Sequence, residues 1–470
     1  MGKLPMIPIQ NGIVREAAVD SLLVPQNTCQ FALNLNFDRI GAIQSRNGIT
    51  ALGSVISAGN SVLGMTNYRN NAGTIYQLLA NINGSVHAYN GSSWGSIRSG
   101  LTPTAKARFT NFVDYTFMVN GNGNQACQSY NGAGSFGSTN CTNLKKGDFI
   151  DNFRSRIWIA NNTTDKLYYS DVVTTSNTIT GGADYIQISP QDGENITGIF
   201  RHPRALIVAK QNHMYRIFSI NATDPDPFIN LGTYSQESII ESKAGFHFHH
   251  PSGFYNFIFD GFQQEISKPI IDIVNAIPRL NYPNITGWPY NDHLYWSIGD
   301  ITLEGISLTN VVCRYTISTQ TWTVYNYPVE IKSTSLYDDG TNLVMALGGD
   351  AGYVYTFDSG DDDAGSPINF EFYTHWMYLS ELKSTSKELT EVAAIHENAQ
   401  GTNLSYQIDN DSRTKWRSIG QINQDLYNIY NVNSKFTRIR FRINGSKVGD
   451  TFVFRGFEML NILGVGEVKK

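Results

Sequence analysis

A strand pair closed by a tight turn recurs along most of this chain, and that recurrence narrows the possible folds more than any other feature. Thr74-Ile75-Tyr76-Gln77-Leu78-Leu79-Ala80 leads through Asn83-Gly84 to Val86-His87-Ala88-Tyr89. Tyr115-Thr116-Phe117-Met118-Val119 leads through Asn120-Gly121 to Cys127-Gln128-Ser129-Tyr130. The pattern returns at 156–160 with 166–170, at 205–209 with 213–217, at 255–259, at 294–298 with 311–315, and at 343–347 with 352–355. Short apolar or alternating runs bounded by Asn-Gly, Asp-Gly or Gly-Gly are hairpin signals. About seven such units, spaced roughly 40–50 residues apart, match the period of propeller blades.

The physics of a lone four-stranded sheet favours that arrangement. Such a sheet cannot cover both of its faces, whereas radial stacking covers the faces and leaves only short edges. The first strand of each pair is the more continuously apolar and is expected nearest the axis, between neighbouring blades. The return strand alternates, as a more exposed neighbour should. A set of unrelated sandwiches would account for the same strands. The expected fold class is all-β: a β-propeller of six to eight blades over 46–360, with a C-terminal β-sandwich-like domain over 361–470. Residues 1–45 read as an N-terminal arm with a possible propeller-closing strand.

Composition agrees with many turns and wet surfaces. Charged residues make up only 16% of the chain, against about 25% in average domains, and Asn, Gly, Ser, Thr and Tyr fill the gap. Net charge is −5, which argues against a dedicated nucleic-acid binder and leaves passing contact with DNA open. Cys29, Cys127, Cys141 and Cys313 are widely spaced with no Cys-x-x-Cys pair, so zinc ribbons and thioredoxin chemistry are unsupported. Free thiols are expected, with a Cys127–Cys141 bridge as the alternative in an exported chain. The first residues lack the apolar stretch of a signal peptide, and no apolar run is long enough to insert in a membrane.

Candidate chemistry is sparse. Gly91-Ser92-Ser93-Trp94-Gly95 matches Gly-x-Ser-x-Gly, yet a nucleophile elbow needs a helix after the Ser and strands surround this one. His247 and His249 fall on one face of a strand, a spacing some metal sites use, but the alternation with Phe246 and Phe248 also reads as an ordinary strand. The acidic run at 361–363 lacks the alternating carboxylates and central Gly of a calcium loop and reads as a solvated loop. No cofactor-binding, metal or catalytic residues are assigned, and the chain is not expected to be an enzyme.

One strand is sharper. In Phe436-Thr437-Arg438-Ile439-Arg440-Phe441-Arg442-Ile443 the alternation puts Arg438, Arg440 and Arg442 on one face and Ile439, Phe441 and Ile443 on the other. The apolar face marks a half-buried strand. The Arg face is open to three readings: solvated surface, a subunit interface with carboxylates, or phosphate contact. Like charges side by side call for a counter-anion.

Three stretches carry a resemblance. The first is Gln30-Phe31-Ala32-Leu33-Asn34-Leu35-Asn36-Phe37-Asp38, followed by Gly41 and then Arg46-Asn47-Gly48. The second is Asp151-Asn152-Phe153-Arg154-Ser155-Arg156-Ile157-Trp158 with Tyr168-Tyr169-Ser170-Asp171. The third is Ala205-Leu206-Ile207-Val208-Ala209-Lys210 with Tyr215-Arg216-Ile217-Phe218, and then 254–259. Together they resemble the tail hub or nozzle (packaged-DNA stabilisation type) β-propeller proteins of short-tailed double-stranded DNA bacteriophages, with Asn47 where that family commonly has Pro. The likeness covers about residues 30–360. The resemblance implies a homo-oligomeric ring, usually a hexamer, below the portal and adaptor proteins. Such a ring extends and gates the DNA channel, touches genomic dsDNA in passing, and docks tail fibres or a tailspike. It implies a virion tail protein assembled in the host bacterial cytoplasm. The competing expectation is a glycan-binding or glycan-cleaving propeller.

Overall fold

The structure is a computed structural model and describes residues 12–15, 27–39, 41–121, 125–138, 140–141, 143–173, 179–221, 225, 227–258, 263–379, 385–409, 411–412, 415–422, 426–447 and 452–467. Among these residues, six small antiparallel sheets and one four-stranded end of a larger sheet follow one another along the chain from Val62 to Phe357 and form a β-propeller. Their innermost strands are, in order, Val62–Arg69, Arg108–Phe112, Phe149–Phe153, Gly198–Arg201, Ile240–Ser242, Thr286–Tyr290 and Ile331–Asp338. Blades 1 to 7 are numbered from them. Successive innermost strands lie against one another, with blades 4 and 5 joined through the turn Gln236–Ser238, and that of blade 7 lies against that of blade 1, so the wheel closes. The clasp is Ile49–Ala51, which pairs antiparallel with Val354–Phe357 as the fourth strand of blade 7.

One expectation is corrected here. The apolar strands singled out in sequence are mostly the second strands of their blades, not the strands nearest the axis. In blade 4, Leu206–Ala209 is buried throughout, whereas Gly198–Arg201 runs from buried at Gly198 to exposed at Arg201. In blade 5 the second strand is Gly245–His250, and the 255–259 signal falls mainly on the third, Gly253–Phe257. The physical reason is crowding: a second strand has a blade on either side, while an innermost strand also borders the axial channel. Polar side chains there tie blade to blade. Asn152 donates to Thr110 Oγ1 (2.7 Å), Arg201 donates to Asn152 Oδ1 (2.9 Å), and Ser333 donates to the Val62 carbonyl (2.7 Å).

The remaining strands build a two-sheet sandwich. One sheet runs in the order Cys29–Leu33, Ile368–Thr374, Ile439–Lys447, Asn403–Ile408, Arg417–Gln421. The other runs Leu35–Asn36, Ile43–Ser45, Val453–Glu467, Thr385–Glu397, Leu426–Phe436. Aromatic contacts fill the space between them, with Phe370 and Phe452 stacked at 4.5 Å and Phe441 and Phe457 at 4.8 Å. Strands expected in an N-terminal arm therefore belong to this sandwich, and closure of the propeller falls to residues just beyond the arm. Cys29–Leu33 also pairs parallel with Thr321–Asn326, the outermost strand of blade 6, through Leu33 and Val324. Propeller and sandwich share one nine-stranded sheet.

Candidate functional site

The strand Ile439–Lys447 places its side chains as the alternation requires. Ile439, Phe441 and Ile443 are fully buried in the sandwich core. Arg438, Arg440 and Arg442 point to the opposite face, where two indoles brought in by other segments separate them. The Arg438 guanidinium lies 4.5 Å from the Trp376 ring; Arg440 lies 4.7 Å from Trp376 and 5.0 Å from Trp416; Arg442 lies 5.4 Å from Trp416. The stack therefore alternates cation and ring, an arrangement that offsets the repulsion of adjacent arginines. Arg440 is buried and held by Gln407 (2.8 Å) and Gln30 (2.6 Å); burial pulls its pKa below the usual arginine value. The counter-anion expected for the face is Glu371, paired with Arg442 Nε at 2.7 Å but off the hydrogen-bond axis. Burial outweighs the Arg442 charge and raises the Glu371 pKa. Arg440 is thus spent inside the chain, and Arg438 and Arg442 form the partly exposed ends of the stack. The two tryptophans were not singled out in sequence, because neither lies on the arginine strand.

A second charged cluster stands at one mouth of the propeller axis. Lys106 and Arg108 precede and begin the inner strand of blade 2, while Glu237 precedes that of blade 5. Arg108 Nε donates to Glu237 Oε1 (2.6 Å), Lys106 Nζ to Glu237 Oε2 (3.3 Å) and to the Pro283 carbonyl (3.0 Å), and Arg108 Nη1 to the Asp148 carbonyl (2.7 Å). Blades 2 and 5 stand across the wheel, so these side chains form a bar over the axis. Burial alone would raise the Glu237 pKa, but the Arg108 and Lys106 charges together hold it far below the usual carboxylate range. A depressed carboxylate pKa adds stability above the unfolded value near 4.5, and that stability is lost as pH falls. Glu237→Gln is expected to cost about 2 kcal/mol at pH 7, read as a lower denaturant midpoint, with the gap from wild type narrowing in acid.

The third cluster welds the propeller to the sandwich. Arg46 is buried, and all five of its N–H groups are used: Nε to Asn34 Oδ1, Nη1 to the Asn47 carbonyl and Asp363 Oδ1, Nη2 to the Asn326 carbonyl and Asp363 Oδ2. Its plane lies 4.2 Å from the Tyr327 ring. Asp363 was expected in a solvated acidic loop; it is 4% exposed instead, because Arg46 draws it in. A Cβ on Gly48 would meet the Asp362 carbonyl oxygen at 1.6 Å, so only glycine lets the two segments approach. Beside this weld a polar cavity of about 210 Å³ is lined by Asp38, Arg314, His293, Tyr295, Tyr325 and Tyr327 among others. Arg314 Nη2 donates to Asp38 (2.5 Å) and to His293 Nε2 (2.7 Å). Burial and the Arg314 charge hold His293 neutral, with its pKa lowered to about 4.

The other sequence candidates resolve into structural contacts. Ser93 of the Gly-x-Ser-x-Gly match sits in a turn where Asn90 Oδ1 accepts from Ser92 N (3.1 Å) and Ser93 N (3.0 Å), and a strand follows it. His247 and His249 are both 1% exposed. Among the described residues no group of three or more His, Cys, Asp or Glu side chains is arranged to hold a metal ion. Cys127 and Cys141 are buried free thiols, with Cys141 Sγ donating to the Cys127 carbonyl (2.8 Å).

No family model matches the chain, and no curated protein matches it. Solved structures of low identity do. One is the computationally designed Ika8 protein, 9% identical, with a TM-score of 0.41 over 65% of this chain and 99% of that one. Another is PorZ, a surface component of the type-IX secretion system of Porphyromonas gingivalis, 10% identical, with a TM-score of 0.41 over 68% of this chain and 42% of that one. A third is an extracellular domain ascribed to a one-component system of B. thetaiotaomicron, 12% identical, with a TM-score of 0.46 over 90% of this chain and 62% of that one.

Proposed function

We propose that this chain is a non-enzymatic structural tail protein, a nozzle or hub whose copies form a ring below portal and adaptor proteins. The ring extends and gates a DNA channel and docks fibres or spikes. One observation carries the reading: the residues that resemble the tail-nozzle family are the molecule's ties. Asn34, Arg46 and Gly48 make the weld between sandwich, blade 6 and blade 7, and Asp38 pairs with Arg314 beside it. In the second stretch, Trp158 Nε1 donates to the Phe153 carbonyl (3.0 Å), Arg156 donates to the Ser170 carbonyl, and Ile157 N donates to Ser170 Oγ (2.9 Å). In the third, the fully buried Lys210 ammonium is caged by Asp165 (2.9 Å), Asp192 (2.8 Å) and the Ser189 carbonyl (3.0 Å).

The Asn34, Arg46 and Asp38 ties join distant segments and the others brace single blades or neighbouring ones, so these side chains are engaged within the molecule. They suit a part that transmits load. The bar over each propeller's own axis also fits a conduit that runs between copies, not through a single wheel. Imaging the purified chain mixed with a portal–adaptor assembly from the same source tests the reading. A symmetric ring beneath the adaptor is the expected image. Portal–adaptor particles that stay bare at saturating chain would count against it.

A further inference from the structure

The sandwich presents two outer faces of opposite character, and we propose that they bind each other, head to tail, between neighbouring copies of this chain. This rests on the ring reading above and names the surface that builds the ring. One face carries the stack of Arg438, Trp376, Arg440, Trp416 and Arg442, with the Lys415 side chain 64% exposed near Trp416. The other is the outer face of the second sheet. There the antiparallel register sets Glu391 beside Asn431 and Leu460, Ala393 beside Ile429 and Glu458, and Ile395 beside Tyr427.

On that second face Glu391 and Glu458 stand among apolar side chains, and Glu388 meets Lys435. Tyr427, Ile429 and Leu463 are 42%, 54% and 46% exposed, and Leu463 lies opposite Glu388. Glu391 accepts from Asn461 (3.0 Å), Glu458 accepts from Tyr427 (3.2 Å), and Glu388 lies 3.9 Å from Lys435. Strand Leu426–Phe436 also ends its sheet. Its first half, from Leu426 to Asn431, carries no proline or lysine, the devices that usually blunt a sheet edge.

Three arguments select a second copy as the occupant. Cations on one face meet carboxylates on the other, whereas like faces would set arginine against arginine. Tryptophan and arginine on one side, and exposed Tyr, Ile and Leu on the other, are the residue types that fill interface centres. The faces lie on opposite sides of one sandwich, so the contact is heterologous and repeats from copy to copy, the requirement for a closed ring.

Sedimentation velocity over a concentration series, on the full chain alone and on the portal–adaptor assembly, reads the association. Two double variants load each face with the wrong sign: Arg438→Glu with Lys415→Glu, and Glu391→Lys with Glu458→Lys. Melting curves confirm that each is folded, and either pair alone suffices if the other fails. Each is expected to weaken association at least about tenfold, and an equimolar mixture of the two is expected to restore it, because every junction then joins opposite charges. Association unchanged in both variants would overturn the face assignment and leave the ring reading standing. Monomers in every sample, wild type on the assembly included, would overturn both.

Discussion

Replacing Arg46 by alanine is expected to lower the unfolding free energy by about 3–5 kcal/mol, the usual cost of removing one partner of a buried ion pair. The substitution leaves the Asp363 carboxylate without its bidentate partner in a site where that residue is only 4% exposed. It also strips hydrogen bonds from Asn34 and the Asn326 carbonyl, which join sandwich to blade 6. Asn34 keeps its own contacts to Asn326 (2.6 Å) and the Asn369 carbonyl (2.6 Å), so the joint should loosen before the blades melt. Arg46→Lys keeps the charge but cannot supply five donors in a plane, and roughly half the loss should remain. Denaturant titration of the three proteins, with limited proteolysis of the 358–367 segment, measures both effects. An Arg46→Ala chain as stable as wild type would show that the weld is ornamental.

Acid should open the propeller near blade 5. His247 and His249 are each 1% exposed, and burial lowers their pKa values to about 4 and about 3 from an ordinary 6.5. His249 packs between Phe254 and Tyr282, with both ring nitrogens unpartnered and the His250 ring beside it. His247 has a long contact to Ser242 Oγ (3.5 Å). For a base whose folded pKa is depressed, the unfolded chain binds more protons between the two pKa values, so stability rises with pH across that window. Here the contribution is complete above about pH 6.5 and is lost as the solution is acidified toward pH 4. At about 1.4 kcal/mol per pKa unit, the pair removes roughly 5 kcal/mol by pH 4.5. His293 and His375, each lowered to about 4, act in the same direction. Denaturant midpoints between pH 7.5 and 4.5 test this. His249→Phe should flatten the profile, and an equal slope in that variant would assign the acid sensitivity elsewhere.

The blades were legible because each unit carries its own signals: a buried strand such as 205–209, a turn such as Asn83-Gly84, an alternating return. Which strand faces the axis was not, because the second strands and not the innermost are the most apolar. The alternation at 438–443 gave both faces of its strand, and Glu371 was foreshadowed as a needed counter-anion without being identified. The ties were illegible for a different reason. Arg46 and Asp363 lie at opposite ends of the propeller sequence and meet only because Ile49–Ala51 closes blade 7. Arg108 and Glu237 meet only because a closed wheel sets blade 2 across from blade 5. No local pattern distinguishes such a charge from a solvated one. The Arg46-Asn47-Gly48 likeness marked the position without revealing its partner.

The most direct measurement is the mass of the particle formed when the purified chain, 52.3 kDa, is added to a portal–adaptor assembly in native mass spectrometry. The account predicts uptake of one fixed number of copies, all together, with no glycan turned over. A chain that remains single in the presence of its docking partner, and that releases sugar from a reporter glycoside, would contradict it.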